Sequence, residues 1–597
     1  MNKKLDLLLV NSFAPRHRIA SDAALENGLA VIRTYLEDRG FSVYVADEQR
    51  ISLVESGVPG WCRQFLRRLV QWQLKCYNSR FKALAVIAML LAWPLQSLTL
   101  YYRKKHMDKM IDNLTALVKT DRISLVGIKV WGGTPYTWSV KLAQKVREIN
   151  PETTVIAGGP HVKVYGENVL AHGEFDLAVM GPGEELLEIL LKLRQTAANK
   201  AAFLEQVRRQ FGPSPLIRTG HYSEQGDYLF HSFTVPRYRA VDMQDKVWFH
   251  TLVDGLGCTW NQCSFCSHTR QKIHYTARPV EEIKAEIEAM VSRGIAFFRF
   301  SSSETPIGHG RAIARMILAA NLKINYSLFA RPANVTEQIY ESYRLMIRSG
   351  LRAVFLGGET GHDLINDKIM NKGVTKKNII DTIQCIKLAA AKEGLSCQTV
   401  LSLIYPCPVV PGVFLEDVFR ENISLIQEAN PDAVIVNPPG VFPGTAWFDK
   451  KEELGFKLGE NFLDELMNYE YSIYKPVEFW RHLNYELNEL DMRGLMREMA
   501  RLNKAVTDLG IPVNISDDYL MMSQAIGYSS KADLFEFKRI SFVDIISGTC
   551  NFIQEITGKM NYCSRLLAAA NFPAAAGRPE RTATKPGVGD LPQQVKA

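Results

Sequence analysis

Cysteine is scarce in this chain, with 10 among 597 residues, and the sequence shows no signal peptide. Disulfide bonds are rare in the cytosol, where thiols stay reduced. A disulfide-stapled secreted protein is therefore not expected, and we predict a cytoplasmic protein. Cysteines that lie close together in such a protein more often bind a metal or take part in catalysis than form a disulfide.

Several other signatures are missing. The sequence has no internal repeat, no phosphate-binding P-loop and no G-x-S-x-G nucleophile turn. Its net charge is +8, but we expect the basic residues to be dispersed, since no Arg/Lys-rich module with interleaved aromatic residues stands out. We therefore predict no nucleic-acid binding. An apolar fraction of 47% is ordinary for a globular enzyme, and the length predicts several domains.

Three of the cysteines lie close together. Cys258, Cys263 and Cys266 fall within the run GCTWNQCSFC. Three closely spaced thiolates can hold three irons of a [4Fe–4S] cluster and leave the fourth iron open to a small molecule. A zinc site completed by His268 or His274 is an alternative, and inert thiols are another.

The residues around and after these cysteines alternate between strand and helix patterns. The predicted strands are 248–253, 295–301, 324–330, 353–357, 397–404 and 433–437, and the predicted helices are 280–293, 309–320, 334–348, 375–392 and 415–429. Such alternation predicts a parallel sheet with crossover helices, here a partial (β/α)6 barrel of the TIM type. The cysteines follow the first strand, and loops at the carboxyl ends of barrel strands carry the chemistry.

Residues 246–455 resemble a radical S-adenosylmethionine (SAM) domain. The resemblance rests on the three cysteines, on Phe265 before the third of them, on the run GGETG at 357–361 followed by MNKG at 370–373, and on FPGT at 442–445. One feature departs from the family. Its common spacing is C-x3-C-x2-C, whereas this chain has C-x4-C-x2-C, so the loop must absorb one extra residue.

The resemblance implies a mechanism. The three thiolates hold a [4Fe–4S] cluster, SAM binds the open iron, and one electron cleaves SAM to a 5′-deoxyadenosyl radical that takes a hydrogen atom from the substrate. An electron donor such as flavodoxin or ferredoxin is implied as a partner. The protein orients the cofactor and excludes side reactions.

Five side chains are candidates for SAM binding: Phe265, Ser303, Glu304, Arg331 and Glu359. Glu359 could meet a cationic amine or ribose hydroxyls, although a charge at a helix N-terminus is its alternative role. Arg331 could bind a carboxylate bidentately. Ser303, Glu304 and Arg331 each end a predicted strand, and each could instead be a solvated loop residue.

The first 200 residues predict a second α/β unit. Its strands are 5–11, 42–46, 123–128, 153–157 and 175–180, with helices at 22–38, 136–149, 166–171 and 183–194. This pattern predicts a five-stranded, doubly wound, Rossmann-like sheet. Ligands of such sheets lie beyond the carboxyl ends of the strands.

This unit, ahead of the barrel, resembles the cobalamin-binding domain of cobalamin-dependent radical SAM enzymes through the stretches GGPHV and FDLAVMGPGEELLEILL. An ordinary flavodoxin-like domain is the alternative. The candidate cobalamin contacts are Trp131, Gly158, Gly159, Pro160, His161, Gly181, Gly183 and Glu184. Residues 1–200 contain no D-x-H-x-x-G motif, so we predict cobalamin bound without an axial histidine from this domain.

A helical insertion at 51–120 interrupts this first domain. Residues 81–102 are nearly all apolar and have Arg and Lys on both flanks. By length and composition, this segment could form a helix that is buried or faces a partner, a peripheral membrane contact or a membrane span. A single span conflicts with the domain, because residues on both sides of the insertion must share one sheet.

The remaining segments are assigned more simply. Residues 201–245 are predicted to be a linker, 456–574 a mostly helical C-terminal domain and 575–597 a disordered tail. Asp517 and Asp518 fit a helix N-cap.

Taken with the resemblance, these features imply a cobalamin-dependent radical SAM enzyme. We predict a C-methyltransferase that uses methylcobalamin and the deoxyadenosyl radical to methylate an unactivated carbon of a small-molecule, lipid or peptide substrate. A rearrangement or cyclisation enzyme without methyl transfer is one alternative. A sensor or scaffold that binds cobalamin and iron–sulfur without catalysis is the other.

Overall fold

The structure is a computed structural model that describes residues 4–13, 23–47, 50–77, 82–171, 173–219, 233–268, 275–470, 477–547 and 549–572. Two predictions lie outside the described residues. They are the disordered tail at 575–597 and His274 as a zinc ligand.

The N-terminal sheet is entirely parallel and has the strand order β2-β1-β3-β4-β5-β6. Its strands are β1 (Leu7–Asn11), β2 (Val43–Asp47), β3 (Leu125–Lys129), β4 (Thr154–Gly158), β5 (Leu177–Met180) and β6 (Leu216–Arg218). The first five match the predicted strands. The sixth lies inside the range 201–245, which was expected to be a linker, and it extends the sheet at the β5 edge.

Helices cover both faces of this sheet. They are α1 (Asn27–Glu37), α2 (Ile51–Ser56), α3 (Gly60–Tyr77), α4 (Lys82–Asp121), α5 (Thr134–Ile149), α6 (Pro160–Tyr165), α7 (Glu184–Thr196), α8 (Lys200–Phe211) and α9 (Ala240–Met243). A short 3-10 turn, Gly166–Leu170, follows α6. One apolar core lies between the sheet and α1, α7 and α8, and a second lies on the α4 and α5 side. The predicted doubly wound architecture is confirmed.

The second sheet contains six parallel strands in the order β14-β13-β12-β11-β10-β7. The strands are β7 (His250–Leu252), β10 (Phe297–Phe300), β11 (Asn325–Ala330), β12 (Leu351–Glu359), β13 (Gln398–Ile404) and β14 (Ala433–Asn437). A two-stranded ribbon, β8 (Gly255–Leu256) with β9 (Thr276–Ala277), flanks the cysteine loop. This is the predicted partial barrel.

Crossover helices join these strands. They are α10 (Val280–Val291), α11 (Ile307–Ala319), α12 (Glu337–Arg348), α13 (Asp363–Lys368), α14 (Lys376–Glu393) and α15 (Leu415–Ala429), and a short helix, α16 (Ala446–Asp449), follows the last strand. The sequence sets their ends locally. Helix α14, for example, begins at a capping box of Thr375 with Asn378 and ends at Gly394 in the left-handed conformation.

The C-terminal part is mostly helical, as predicted. Its helices are α17 (Phe462–Met467), α18 (Met492–Asp508), α19 (Asp517–Ala525), α20 (Lys531–Ser547) and α21 (Asn551–Ala569), with a 3-10 turn at Val477–Phe479. It also contains a small antiparallel sheet of β15 (Phe456–Leu458), β16 (Tyr485–Leu487) and β17 (Leu490–Asp491).

The N-cap signal of residues 514–518 is confirmed by the start of α19, but Asp517 and Asp518 are not the capping residues. Ser516 occupies the N-cap position, and Asp517 and Asp518 lie in the first turn, where both are buried. Asp517 accepts hydrogen bonds from Arg299 at 2.7 Å and from Ser327 at 2.7 Å. These carboxylates therefore hold α19 against the barrel strands.

Several contacts join the two α/β units. The Lys246 ammonium lies 2.8 Å from a carboxylate oxygen of Asp47, and the backbone N–H of Val247 donates to the carbonyl of Ala23 at 2.8 Å. Asn27 donates to the carbonyl of Thr251 at 2.6 Å. The carboxyl ends of both sheets consequently open toward one shared space.

Candidate active site

The cysteine loop connects β8 to β9 at the carboxyl end of the first barrel strand. Within the longer C-x4-C segment, Asn261 has φ of +50°, in the left-handed region that asparagine tolerates better than most residues. The chain therefore turns at Asn261 between the first two cysteines.

The loop is fastened to the rest of the barrel through its backbone and one tryptophan. The N–H of Ser264 donates to the carbonyl of Met370 at 2.9 Å, and the carbonyl of Ser264 accepts from the N–H of Trp447 at 3.1 Å. The Trp260 indole donates to the carbonyl of Asn371 at 2.7 Å. Gly373 is required beneath it, since a Cβ there would lie 2.4 Å from the Trp260 ring. The sequence runs that suggested the family thus meet in space.

The three thiols differ in burial. Cys263 is buried, whereas Cys258 and Cys266 are partly exposed. Burial raises the pKa of the Cys263 thiol to about 12, and the nearby Lys372 ammonium opposes that rise. Among the described residues, no three His, Cys, Asp or Glu side chains are grouped around the position of a single metal ion. A cluster makes a different demand, because each thiolate binds its own iron.

Glu359 and Lys372 form a buried pair next to the cysteine loop. The Lys372 ammonium lies 2.8 Å from a Glu359 carboxylate oxygen and 5.8 Å from the centre of the Phe265 ring. Burial lowers the pKa of Lys372, but Glu359 and Cys263 outweigh this effect and the net pKa is raised. Lys372 was not predicted as a site residue, although it lies in the MNKG run that marked the family.

Two other SAM candidates are engaged with the protein itself. Arg331 donates to the carbonyls of Lys372 and Gly373, and its guanidinium lies 4.5 Å from the centre of the Trp260 ring. Glu304 accepts from the Thr259 hydroxyl at 3.0 Å and from the Cys258 thiol at 3.3 Å. Both side chains thus brace the cysteine loop.

Ser303 belongs to a contact between the two domains. Its hydroxyl lies 2.8 Å from Nδ1 of His268, and the ammonium of Lys163, on α6, lies 3.4 Å from the same nitrogen. Lys163 and His268 were not predicted to meet. Their sequence positions, one after the glycine loop and one after the third cysteine, carry no local signal of this contact.

A cavity of about 980 Å³ lies between the two sheets and the C-terminal part. From the N-terminal sheet it is lined by Trp131, His161 and neighbouring loop residues, and from the barrel by Phe265 and Glu359. The residues that line it from the C-terminal part include Phe462, Leu466, Tyr469, Glu470, Leu483, Tyr485 and Met492. The structure therefore brings together predicted cobalamin and SAM residues that lie far apart in the sequence.

The glycine loops line a second cavity, of about 290 Å³, which α1 and α7 line as well and which the barrel residues Val253, Arg278 and Glu286 border. Gly158, Gly159, Gly181, Gly183 and Glu184 all contribute to its lining. A Cβ on Gly158 would meet no atom within 4 Å, so its absence leaves open space for a ligand. Pro160 fills the first position of α6, where proline is favoured.

Trp131 and His161 lie at the boundary of the larger cavity. The Trp131 indole donates to the side-chain oxygen of Asn11 at 3.1 Å. His161 is 6% exposed and packs between the rings of Tyr136 and Tyr165, with ring centres at 5.0 and 4.5 Å. Its Nε2 has no hydrogen-bond partner among the described residues, and burial lowers its pKa to about 4. The ring is therefore neutral near pH 7.

Two family models match the chain. Residues 252–437 match the radical SAM superfamily, and residues 98–191 match the B12 binding domain. No curated protein matches the chain.

Solved structures share the fold at low identity. TsrM from Kitasatospora setae, described as a radical S-adenosylmethionine methyltransferase with cobalamin and a [4Fe–4S] cluster bound, is 15% identical with a TM-score of 0.55, covering 93% of this chain and 99% of TsrM. The same enzyme with tryptophan substrate and a SAM analogue, aza-SAM, is 14% identical with a TM-score of 0.52, covering 87% and 92%. Apo OxsB, described as a cobalamin-dependent S-adenosylmethionine radical enzyme, is 12% identical with a TM-score of 0.51, covering 91% and 72%.

Proposed function

We propose that this chain, which matches the radical SAM superfamily and B12 binding domain family models, is a cobalamin-dependent radical SAM enzyme and a C-methyltransferase acting on an unactivated carbon of a small-molecule, lipid or peptide substrate. The observation that carries the proposal is the cavity of about 980 Å³ that both cofactor domains and the C-terminal part line. A methyl carrier and a source of radicals must reach the same substrate carbon, and one shared cavity at the carboxyl ends of both sheets allows this.

Cys258, Cys263 and Cys266 would hold the [4Fe–4S] cluster. The donor set fits, because three thiols project from one loop whose backbone is anchored to the barrel at Ser264. When bound, the cluster supplies the electron that cleaves SAM, and cobalamin supplies a carrier for a methyl group. Phe265 and Glu359 line the cavity next to this loop and would contact SAM.

The Glu359–Lys372 pair would orient SAM. A buried carboxylate already paired with a cation keeps a fixed position and still has a second oxygen for a cationic amine or for ribose hydroxyls. Arg331, Ser303 and Glu304 would act less directly, since each is bonded to the loops around the cysteines.

The glycine loops and the two cavities fit cobalamin. Gly158, Gly159, Gly181 and Gly183 would allow close approach of the ligand to the backbone in the smaller cavity, while Trp131 and His161 would face the corrin in the larger one. The orphaned Nε2 of His161 is a buried polar atom that a bound ligand can satisfy. We retain the prediction that no histidine of this domain is an axial ligand.

The remainder of the cavity would hold the substrate. Its aromatic and apolar wall from the C-terminal part favours a substrate with a sizeable apolar portion. TsrM has been solved with tryptophan, which is consistent with a small molecule in a fold of this kind. A flavodoxin or ferredoxin would supply electrons, and cytoplasmic localisation follows from the scarcity of cysteine.

Anaerobic reconstitution tests this proposal. Wild type and a variant with Cys258→Ala, Cys263→Ala and Cys266→Ala receive iron, sulfide, cobalamin, SAM and a low-potential reductant. Iron, bound cobalamin, 5′-deoxyadenosine and S-adenosylhomocysteine are then quantified. We expect about four irons per wild-type chain and both SAM products, and we expect the variant to lose iron and deoxyadenosine but keep cobalamin.

Other outcomes separate the alternatives. Deoxyadenosine without S-adenosylhomocysteine would indicate rearrangement or cyclisation. Bound cobalamin without SAM cleavage would leave only a binding protein, and zinc in place of iron would overturn the cluster assignment. His268→Ala is the matched control, because Nδ1 of His268 already contacts Ser303 and the variant is expected to keep its iron.

A further inference from the structure

The insertion in the N-terminal domain forms a helical hairpin with an unusual surface. Helices α3 and α4 pack on each other, and α3 also packs on α20 through Leu66, Leu69, Val70 and Val543. We call the outward side of α3 and of residues 82–102 of α4 the hairpin face. Only 22% of the most apolar 18-residue stretch of α4 is buried. The expectation of a helix buried within this chain is therefore wrong.

Helix α4 packs its small side chains inward and its large apolar ones outward. The buried positions of its first half are Ala85, Ala88, Ala92 and Thr99. The exposed apolar side chains are Leu84, Val86, Ile87, Met89, Leu90, Leu91, Trp93, Leu100 and Tyr101, with Trp93 65% exposed. A helix that packs only against its own chain buries its large apolar residues. This arrangement is suited to an apolar environment outside the protein.

Helix α3 presents an aromatic and basic stripe beside this surface. Trp61, Phe65, Arg68, Trp72 and Lys75 are all exposed and recur every three or four residues, which places them on one side of the helix. Tryptophan and basic residues together are enriched where a protein meets the headgroup region of a bilayer.

The charge of the protein is concentrated in this segment. Between Glu55 and Asp108 the sequence has no Asp or Glu but nine Lys and Arg, which more than account for the net charge of +8. Arg63 and Arg67 pair with Glu55 and Asp544. Arg68, Lys75, Lys104 and Lys105 are exposed. The segment therefore carries an excess of positive charge, although most of the 71 Lys and Arg lie elsewhere in the chain, and its exposed cations complement an anionic surface.

A span does not fit the geometry. Helix α4 leads directly into β3, which pairs with β1 from before the insertion, so both ends of the hairpin are tied to the same sheet. Helix α4 is also long enough that its second half, beyond Arg103, packs on α5 inside the domain, where the Trp138 indole donates to the carbonyl of Met107. The apolar stretch is thus held at the protein surface.

We propose that the hairpin face docks this enzyme on an anionic phospholipid bilayer, with the apolar side chains of α4 at the boundary between headgroups and acyl chains and the exposed Arg and Lys at the lipid phosphates. Each basic residue near an anionic bilayer strengthens binding. The apolar side chains that enter the bilayer supply the rest of the binding free energy. This function goes beyond methyl transfer and does not depend on it.

Vesicle flotation with the full chain tests the proposal. We expect the wild type to float with vesicles of equimolar phosphatidylcholine and phosphatidylglycerol, much less with phosphatidylcholine alone, and less at high salt. Ile87→Glu/Leu91→Glu should reduce the bound fraction by at least about tenfold, and so should Lys104→Gln/Lys105→Gln. Leu388→Glu/Phe414→Glu, which changes apolar residues elsewhere that are even more exposed, should bind as the wild type does.

A fluorescence measurement that begins with the wild-type protein guards against a folding defect in these variants. Brominated lipids should quench part of the wild-type tryptophan fluorescence, and Trp93→Phe should lose most of that quenching. Absence of vesicle binding, or equal binding by Ile87→Glu/Leu91→Glu, would overturn the proposal. Self-association that the same variant abolishes, without vesicle binding, would assign the hairpin face to a second copy of the chain. None of these readouts requires turnover, so they fail or succeed independently of the proposed methyltransferase activity.

Discussion

The ammonium of Lys372 lies 2.8 Å from a carboxylate oxygen of Glu359, and both side chains are largely withdrawn from water beside the cysteine loop. Burying two charges is costly, and their mutual attraction offsets that cost only while both are present. Gly357 leaves room for this pair because it has no side chain, and a Cβ there would lie 2.7 Å from the Glu359 carboxylate. The pair is therefore a single unit.

Lys372→Met should destabilise the protein by about 3 kcal/mol, because it leaves the Glu359 carboxylate buried without a cation. Glu359→Gln combined with Lys372→Met should cost less than the sum of the two single changes. Urea denaturation of the four proteins measures this coupling. Lys377→Met, which removes an exposed partner of Asp381, is the control and should change the unfolding free energy by less than about 0.5 kcal/mol. Additive single changes would contradict the coupling.

The glycines of the N-terminal domain should separate into structural and ligand-facing positions. Gly181 has φ of +116°, and a Cβ there would lie 2.4 Å from the Thr219 carbonyl oxygen, so Gly181→Ala should lower the unfolding temperature. The methyl group added by Gly158→Ala would meet no atom within 4 Å, so this variant should unfold as the wild type does. The methyl group would, however, lie beside the smaller cavity.

Cobalamin titration, followed by absorbance, completes this comparison. Gly158→Ala, and more strongly Gly158→Val, should weaken cobalamin binding at unchanged thermal stability of the cobalamin-free protein. Wild-type affinity in Gly158→Val would show that the smaller cavity does not hold part of the cofactor.

The sequence predicts those parts of the molecule that depend on local pattern. Apolar runs with intervening helix patterns predicted eleven of the twelve parallel strands in the described residues, whereas β6 (Leu216–Arg218) lies in a range that was predicted to be a linker. The cysteine spacing located the loop, but the partners of that loop come from distant positions. Lys163 reaches His268 across 105 residues, a contact that no local pattern records.

The hairpin shows a different limit. Composition identified residues 81–102 as an apolar helix, yet composition cannot tell which face of a helix the fold covers. That outcome depends on α3 and on α20, which approaches from the other end of the chain. Packing between residues far apart in the sequence therefore determines which face of α4 is exposed, and hydropathy alone does not.

Asp517 illustrates the same limit in an ion pair. A helix start predicts an acidic residue in the first turn, but the partner, Arg299, lies 218 residues away. If the Asp517 carboxylate interacted only with the helix dipole, Arg299→Met should leave the unfolding free energy nearly unchanged. We expect instead that Asp517→Asn and Arg299→Met each lower stability by about 2 kcal/mol or more and that the double change is less than additive. Urea denaturation measures this cycle, with the exposed Asp508→Asn as the control.

His161 should make the stability of the N-terminal domain depend on pH. Burial lowers its pKa to about 4 in the folded protein, whereas an unfolded chain protonates histidine near 6.5. Below about pH 6.5 the unfolded state therefore binds a proton that the folded state refuses. The stability contribution is fully present above that pH and is lost as the pH falls toward 4.

Replacing this ring with a neutral side chain isolates the effect. From about pH 7.5 to about pH 5, the wild type should lose about 2 kcal/mol through His161 alone, and His161→Gln should lose that much less over the same interval. Unfolding midpoints at the two pH values give the difference. The exposed His482→Gln should retain the full wild-type loss, because it leaves His161 and the rings around it unchanged. A wild-type pH profile in His161→Gln would show that folding does not shift the pKa of His161, so that the ring takes up its proton at about pH 6.5 in the folded protein as in the unfolded chain.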